Sequence, residues 1–133
     1  MYRRFPVAEE LILIVEDDSR SSKLAREILQ IHGYRTIEAS SAAGALAAAA
    51  SHLPDLILMD IQLPDGDGVS VLHQLRQDPG TASIPVIAVT AFAMREDEER
   101  FLSDGFDGYL SKPVGVKALA VEVARHLAAR AGP

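Results

Sequence analysis

The sequence predicts an α/β protein built on a parallel sheet with helices on both faces. Three observations point there. Continuous apolar runs recur at Leu11–Val15, Leu56–Met59 and Ile84–Val89, each ended by turn or polar residues, as strands buried on both faces are. Segments with helical spacing or helical composition separate them. Strand and helix candidates alternate five times along the chain, and such connections require parallel strands and right-handed crossovers.

Each element can be justified in order. Residues 1–10 read as a loose leader. Leu11–Val15, LILIV, is apolar and rich in β-branched residues, hence a buried strand. The acids Glu16, Asp17 and Asp18 follow, and Ser19 is placed to cap a helix. In that helix Leu24, Ile28 and Ile31 form a stripe, and Gly33 stops it. Tyr34–Ala39 is a short strand candidate. Ser41–Ser51 is alanine-rich, with high helix propensity. The third strand runs to Asp60, and the turn Leu63-Pro64-Asp65-Gly66 follows. Asp65 and Asp67 flank glycines and read as turn residues. Val69, Leu72 and Leu75 mark a third helix, which Pro79-Gly80 breaks. Ile84–Val89 is the fourth strand, ending at Thr90. Arg95–Asp104 is a charged helix anchored by Phe101 and Leu102. Phe106–Leu110 is a weaker fifth strand before Ser111-Lys112-Pro113, and Val116–Leu127 is a final amphipathic helix.

Size and charge bound the function. At 133 residues the chain makes one domain, large enough to bury a core without staples. It contains no cysteine, which excludes a disulfide scaffold, a thiolate nucleophile and cysteine-ligated zinc. The net charge is −6, with 19 acids against 13 Lys and Arg. That disfavours direct nucleic-acid binding. No apolar run is long enough for a signal peptide or membrane span. The expectation is a cytoplasmic protein.

Parallel strands bring their carboxyl ends to one rim, where open α/β sheets bind ligands. Asp17, Asp60, Thr90 and Lys112 collect there, with Glu16 beside them. Alone, Asp60 would read as a strand-end turn residue. Together, three acids repel unless a positive charge sits among them, and a hard cation such as Mg²⁺ resolves that. A carboxylate nucleophile, a cation, an ammonium and a hydroxyl make a phosphoryl-transfer site.

These ordered motifs resemble the receiver domains of two-component response regulators, the CheY-like superfamily. They are Glu16-Asp17 after LILIV, Asp60 in LILMDIQLPDGDG, Thr90-Ala91 after IPVIAV, and Lys112-Pro113 after Tyr109. The similarity runs from Leu11 to Leu127. PDLILMDIQLP and IPVIAVTAFAM, with DEER soon after, look closer still to the DivK-type single-domain regulators. The resemblance implies a flavodoxin-like (βα)5 fold with strand order 2-1-3-4-5, in which residues 11–128 are the receiver domain and 129–133 a tail. It implies that Asp60 is the phosphoacceptor for a phosphohistidine. It implies a Mg²⁺ site of Glu16, Asp17, Asp60 and the main-chain carbonyl of Gln62, with Asp17 a direct ligand and Glu16 its partner acting through water. Thr90 matches the hydroxyl that bonds the phosphoryl group, Lys112 the lysine that pairs with it, and Tyr109 the switch aromatic. Lys112-Pro113 matches a peptide that is cis in the family. The chain would be no turnover enzyme but a phosphoacceptor catalysing its own phosphorylation and dephosphorylation. Its donor would be a histidine kinase or histidine phosphotransfer protein. Its output would pass to a protein partner through the face of helix four, strand five and helix five.

Asp18 reads as a solvated turn or cap residue. His32, His52, His73 and His126 lie on predicted helices or their ends, away from the rim. The charged run Arg95–Arg100 fits equally a solvated face and a carrier of the switch. Phe92 beside the site cannot hydrogen-bond an attacking water, so slow self-dephosphorylation is expected. A dehalogenase-type phosphatase would want a second acid where Gln62 stands. An FMN carrier would want a phosphate cradle where the acids stand. A phosphorylation-independent adaptor would be expected to lack one of the key groups. No output domain follows the last helix, so the chain reads as a single-domain regulator or as a receiver excised from a larger protein.

Overall fold

The computed structural model describes residues 9–91 and 95–130, the last of these by its backbone alone. Seven strands and five helices follow in order: β1 Leu11–Val15, α1 Ser19–Ile31, β2 Arg35–Ala39, α2 Ala42–His52, β3 Leu56–Asp60, β4 Gln62–Leu63, β5 Gly66–Asp67, α3 Gly68–Gln77, β6 Val86–Thr90, α4 Arg95–Asp104, β7 Gly108–Ser111 and α5 Val116–Arg130. The main sheet is wholly parallel, in the order β2-β1-β3-β6-β7. This is the expected 2-1-3-4-5 order, with numbers displaced because a two-residue antiparallel hairpin, β4-β5, follows β3.

Side-chain alternation along the strands builds two cores. Leu13, Val15, Ile57, Met59, Val86 and Ala88 point to one face, where they meet α2, α3 and α4 through Ala45, Ala49, Val71, Leu72, Leu75 and Phe101. Ile12, Ile14, Leu56, Leu58, Ile87 and Val89 point to the other, against Ile28 and Leu29 of α1 and Leu119, Val123 and Leu127 of α5. Because β1 is apolar throughout and β3 and β6 are apolar up to their last residues, Asp60 and Thr90, both faces can be covered. The alanines of α2 divide by face: Ala45 and Ala49 are buried, whereas Ala43, Ala47 and Ala50 are exposed.

Four expectations are corrected. The cap of α1 is Asp18, which accepts from the Ser21 amide and hydroxyl, and Ser19 is the first helical residue. A carboxylate reaches the third helical amide from that position as a serine would. The buried side of α1 is Ser22, Ile28 and Leu29, while Leu24 is 44% and Ile31 82% exposed. Tyr34 amide donates to the Leu29 carbonyl, so the chain folds back across Leu29 and leaves Ile31 outside. On α4 Phe101 is buried and Leu102 exposed, since successive helical positions face different ways. Finally, β6 begins at Val86: Pro85 has no N–H, and its carbonyl instead accepts from Ile57. Phe92 and the leader residues 1–8 lie outside the described residues.

Candidate functional site

The carboxyl ends of β1, β3, β6 and β7 form the rim. β3 holds Asp60 in register with Val89 of β6. Asp60 is 5% exposed and Glu16 7%, whereas Asp17 is exposed. Carboxylate oxygens of the three lie within 4.8 Å of one another. The Glu16 amide donates to the Ala39 carbonyl, and Glu16 Oε2 accepts from the Asp18 amide at 3.1 Å. Asp60 Oδ1 accepts from the Gln62 amide at 3.1 Å, so the hairpin loop turns its first amide onto the acid.

Lys112 stands between the two buried acids. Its Nζ lies 2.7 Å from Glu16 Oε1 and 3.2 Å from Asp60 Oδ2. Its amide donates to the Thr90 carbonyl at 2.8 Å, which fixes the loop after β7 to the end of β6. The Lys112-Pro113 peptide is cis. Burial pushes the Glu16 carboxyl above its ordinary value, and nearby Asp60 adds to this, although Lys112 pulls the other way. Burial would lower the Lys112 ammonium, but Glu16 and Asp60 outweigh it and hold it above its ordinary value. Lys112 is the one cation paired with these acids among the described residues. Two carboxylates sharing one ammonium, with that of Asp17 close by, leave excess negative charge. Oxygen donors so placed fit a hard divalent ion.

Thr90 ends β6 and is 1% exposed. Its parity along the strand is that of Val86 and Ala88, the face that α4 covers. Tyr109, half-buried on β7 opposite Ala88, packs on the same face. Its ring stacks on Phe101 of α4, with centroids 6.0 Å apart and planes at 23°. Thr90 and Tyr109 therefore share a face with α4, while Lys112 reaches the acids.

Four contributors escaped the sequence reading. Gly68, the first residue of α3, sits against the strand end: a Cβ there would lie 2.8 Å from the Asp60 carbonyl and 2.9 Å from Met59 Cγ. Phe101 is the stacking partner of Tyr109. Asp65 is more than a turn residue, because it accepts from the Ala42 and Ala43 amides at 2.6 and 3.1 Å. Asp67 caps α3 through the Ser70 amide. The Asp-Gly pairs were a visible signal for the turn, but not for Asp65's distant partner.

A parallel sheet of this order, with acids and a lysine gathered at its carboxyl edge, defines a receiver-type phosphoacceptor architecture. Residues 12–124 match the response regulator receiver domain family, and the chain belongs to it. It is a receiver of two-component signalling. Among individual relatives, it is 50% identical over 105 residues to the polar-differentiation response regulator DivK of Brucella ovis, covering 79% of this chain and 85% of that one. Among solved structures, it superposes on a sensor protein from Polaromonas sp. with a TM-score of 0.84 at 33% identity, covering 92% and 98% of the two chains. The receiver domain of a sensor histidine kinase from Pseudomonas aeruginosa gives 0.82 at 32% identity, covering 90% and 98%; that protein has a magnesium ion coordinated in its active-site cleft.

Proposed function

We propose that the chain is a Mg²⁺-dependent phosphoacceptor whose Asp60 takes a phosphoryl group from a phosphohistidine. The donor is a histidine kinase or a histidine phosphotransfer protein. The observation that supports this most is Lys112 shared between Glu16 and Asp60, with Asp17 completing the acidic group. Glu16, Asp17, Asp60 and the Gln62 carbonyl hold the ion, which supplies charge neutralisation for the phosphoryl oxygens. The Asp60 carboxylate attacks phosphorus. The phosphorus–nitrogen bond breaks, and its electron pair returns to the imidazole. Lys112 then trades a carboxylate for a phosphoryl oxygen, so its charge is used in both states.

Phosphorylation adds about −1.5 to −2 charge at Asp60. That charge draws in the Thr90 hydroxyl, and Tyr109 turns toward the space it leaves. Tyr109 stacks on Phe101, so its movement is felt by α4. The face formed by α4, β7 and α5 then changes its preference for a protein partner, a population shift toward a state already sampled. Residues 11–128 form the receiver unit, with 1–10 a leader and 129–133 a tail. Among the described residues no helix is long and apolar enough to cross a membrane, which fits a cytoplasmic setting.

The test is intact mass after incubation with acetyl phosphate or phosphoramidate, in Mg²⁺ and in EDTA. One added phosphate is expected, lost in EDTA and in Asp60→Ala. Normal labelling of that variant would refute Asp60 as acceptor. A folded wild-type protein that takes up no phosphate would refute the phosphoacceptor reading.

A further inference from the structure

The loop that follows Asp60 is tied down at three points. At its start the Gln62 amide bonds Asp60. At its end Asp67 caps α3. Between them Asp65 reaches across 23 positions of sequence to the first two amides of α2, at 2.6 and 3.1 Å. α2 has no acid in its own first turn, and Ser41 serves only its third amide, that of Gly44. Asp65 therefore supplies the negative charge that a helix N-terminus favours. These bonds hold its carboxyl below the ordinary carboxylate range. The link continues toward β1. Ala42 follows the end of β2 by three residues, and there the Ala39 carbonyl accepts from the Glu16 amide. Asp65 thus joins the segment carrying Asp60 and Gln62 to the segment that steadies Glu16.

We propose that Asp65 is a positioning residue for the divalent cation: by clamping the Gln62–Asp67 hairpin to the start of α2, it sets how tightly the ion is held. The inference rests on the reading of Glu16, Asp17, Asp60 and Gln62 as the ion's ligands. Asp65 need not touch the ion. Groups that orient a metal's ligands from outside typically govern about 10- to 100-fold in affinity. A mere cap would act on stability alone.

The experiment is a Mg²⁺ titration followed by amide chemical shifts, with the melting temperature in EDTA measured beside it. The proteins are wild type, Asp65→Ala, Asp65→Asn and Ser41→Ala. Ser41→Ala removes a cap from the same end of α2 but leaves the hairpin clamp in place. Asp65→Ala is expected to weaken Mg²⁺ binding roughly tenfold or more. Asp65→Asn, which keeps one acceptor oxygen, is expected to fall between. Ser41→Ala should lower the melting temperature and keep the wild-type dissociation constant. Unchanged Mg²⁺ affinity in both Asp65 variants would overturn the inference. So would equal weakening in Ser41→Ala, which would make any loosening of α2 sufficient. If Asp65→Ala does not fold, Asp65→Asn against Ser41→Ala decides the matter. A wild-type protein that binds no Mg²⁺ would overturn the ligand assignment itself, and the inference with it.

Discussion

Lys112 balances two buried acids, and its removal would leave both without a cation. Leaving buried charged groups unpaired costs roughly 1–3 kcal/mol or more. Lys112→Ala is therefore expected to unfold at lower denaturant than wild type in EDTA, with the deficit shrinking as Mg²⁺ is added. Equal deficits with and without Mg²⁺ would show that Lys112 acts only as packing. Phosphorylation should persist in part but lose its effect on partner affinity. At this scale the sequence was informative where a residue's chemistry and its strand-end position coincide, as for Asp60, Thr90 and Lys112. It was silent where the meaning of a residue lies in a distant partner. Asp65 looked like any acid beside a glycine, because the Ala42 and Ala43 amides it binds are contributed by another element.

Gly68 shows how one helix start fixes the reactive strand. Any side chain there collides with the Asp60 carbonyl and Met59. Overpacking of this kind costs about 1–3 kcal/mol. Gly68→Ala is expected to lower stability by that amount and also to slow phosphorylation, since the atoms displaced include those of Asp60, the proposed acceptor. Wild-type labelling rates in the folded variant would count against that coupling. The cap of α2 offers the opposite test. Leu53 holds φ of 46° and is exposed, so a bulky residue occupies the left-handed region at a helix end. That conformation costs roughly 1–2 kcal/mol outside glycine. Leu53→Gly is expected to raise the melting temperature or leave it level. Elements with continuous apolar runs, β1 and β3, were legible because burial on both faces leaves no alternative pattern. The stripe on α1 was not: Leu24 and Ile31 have the right spacing, but the return of the chain at Tyr34 selects Leu29. The β4-β5 hairpin is two residues on each side, too short for any periodicity to announce it.

Across the whole molecule the sheet separates two packed layers, and the proposed switch would act through the one that includes α4. The contact to break is the Phe101–Tyr109 stack. Phe101→Leu keeps an apolar filler while removing the ring. It is expected to accept phosphate at Asp60 as wild type does, while phosphorylation-induced shifts of α4 amide resonances diminish. Undiminished shifts would exclude Phe101 as the carrier. Acid stability is a property of the entire chain as well. Hydrogen bonds from Arg26 and Ser22 hold Glu38 below the ordinary carboxylate range, against the small opposing effect of burial. The unfolded chain therefore binds that proton first. The stability Glu38 contributes is present above the unfolded pKa, near 4, and falls as pH drops below it. Glu38→Gln should flatten the acid limb of a urea-denaturation series, and an unchanged limb would show the bonds add nothing.

β2 ends the sheet, and its outer rail is RTIEA, with Arg35 and Glu38 set into it. Ionic side chains along an open rail discourage the addition of a foreign strand. That margin is accordingly expected to resist the addition of a strand from a second molecule. The other margin, β7, is flanked by α4 and α5, so a companion meeting that face would read helical side-chain shape and charge beside a single strand edge.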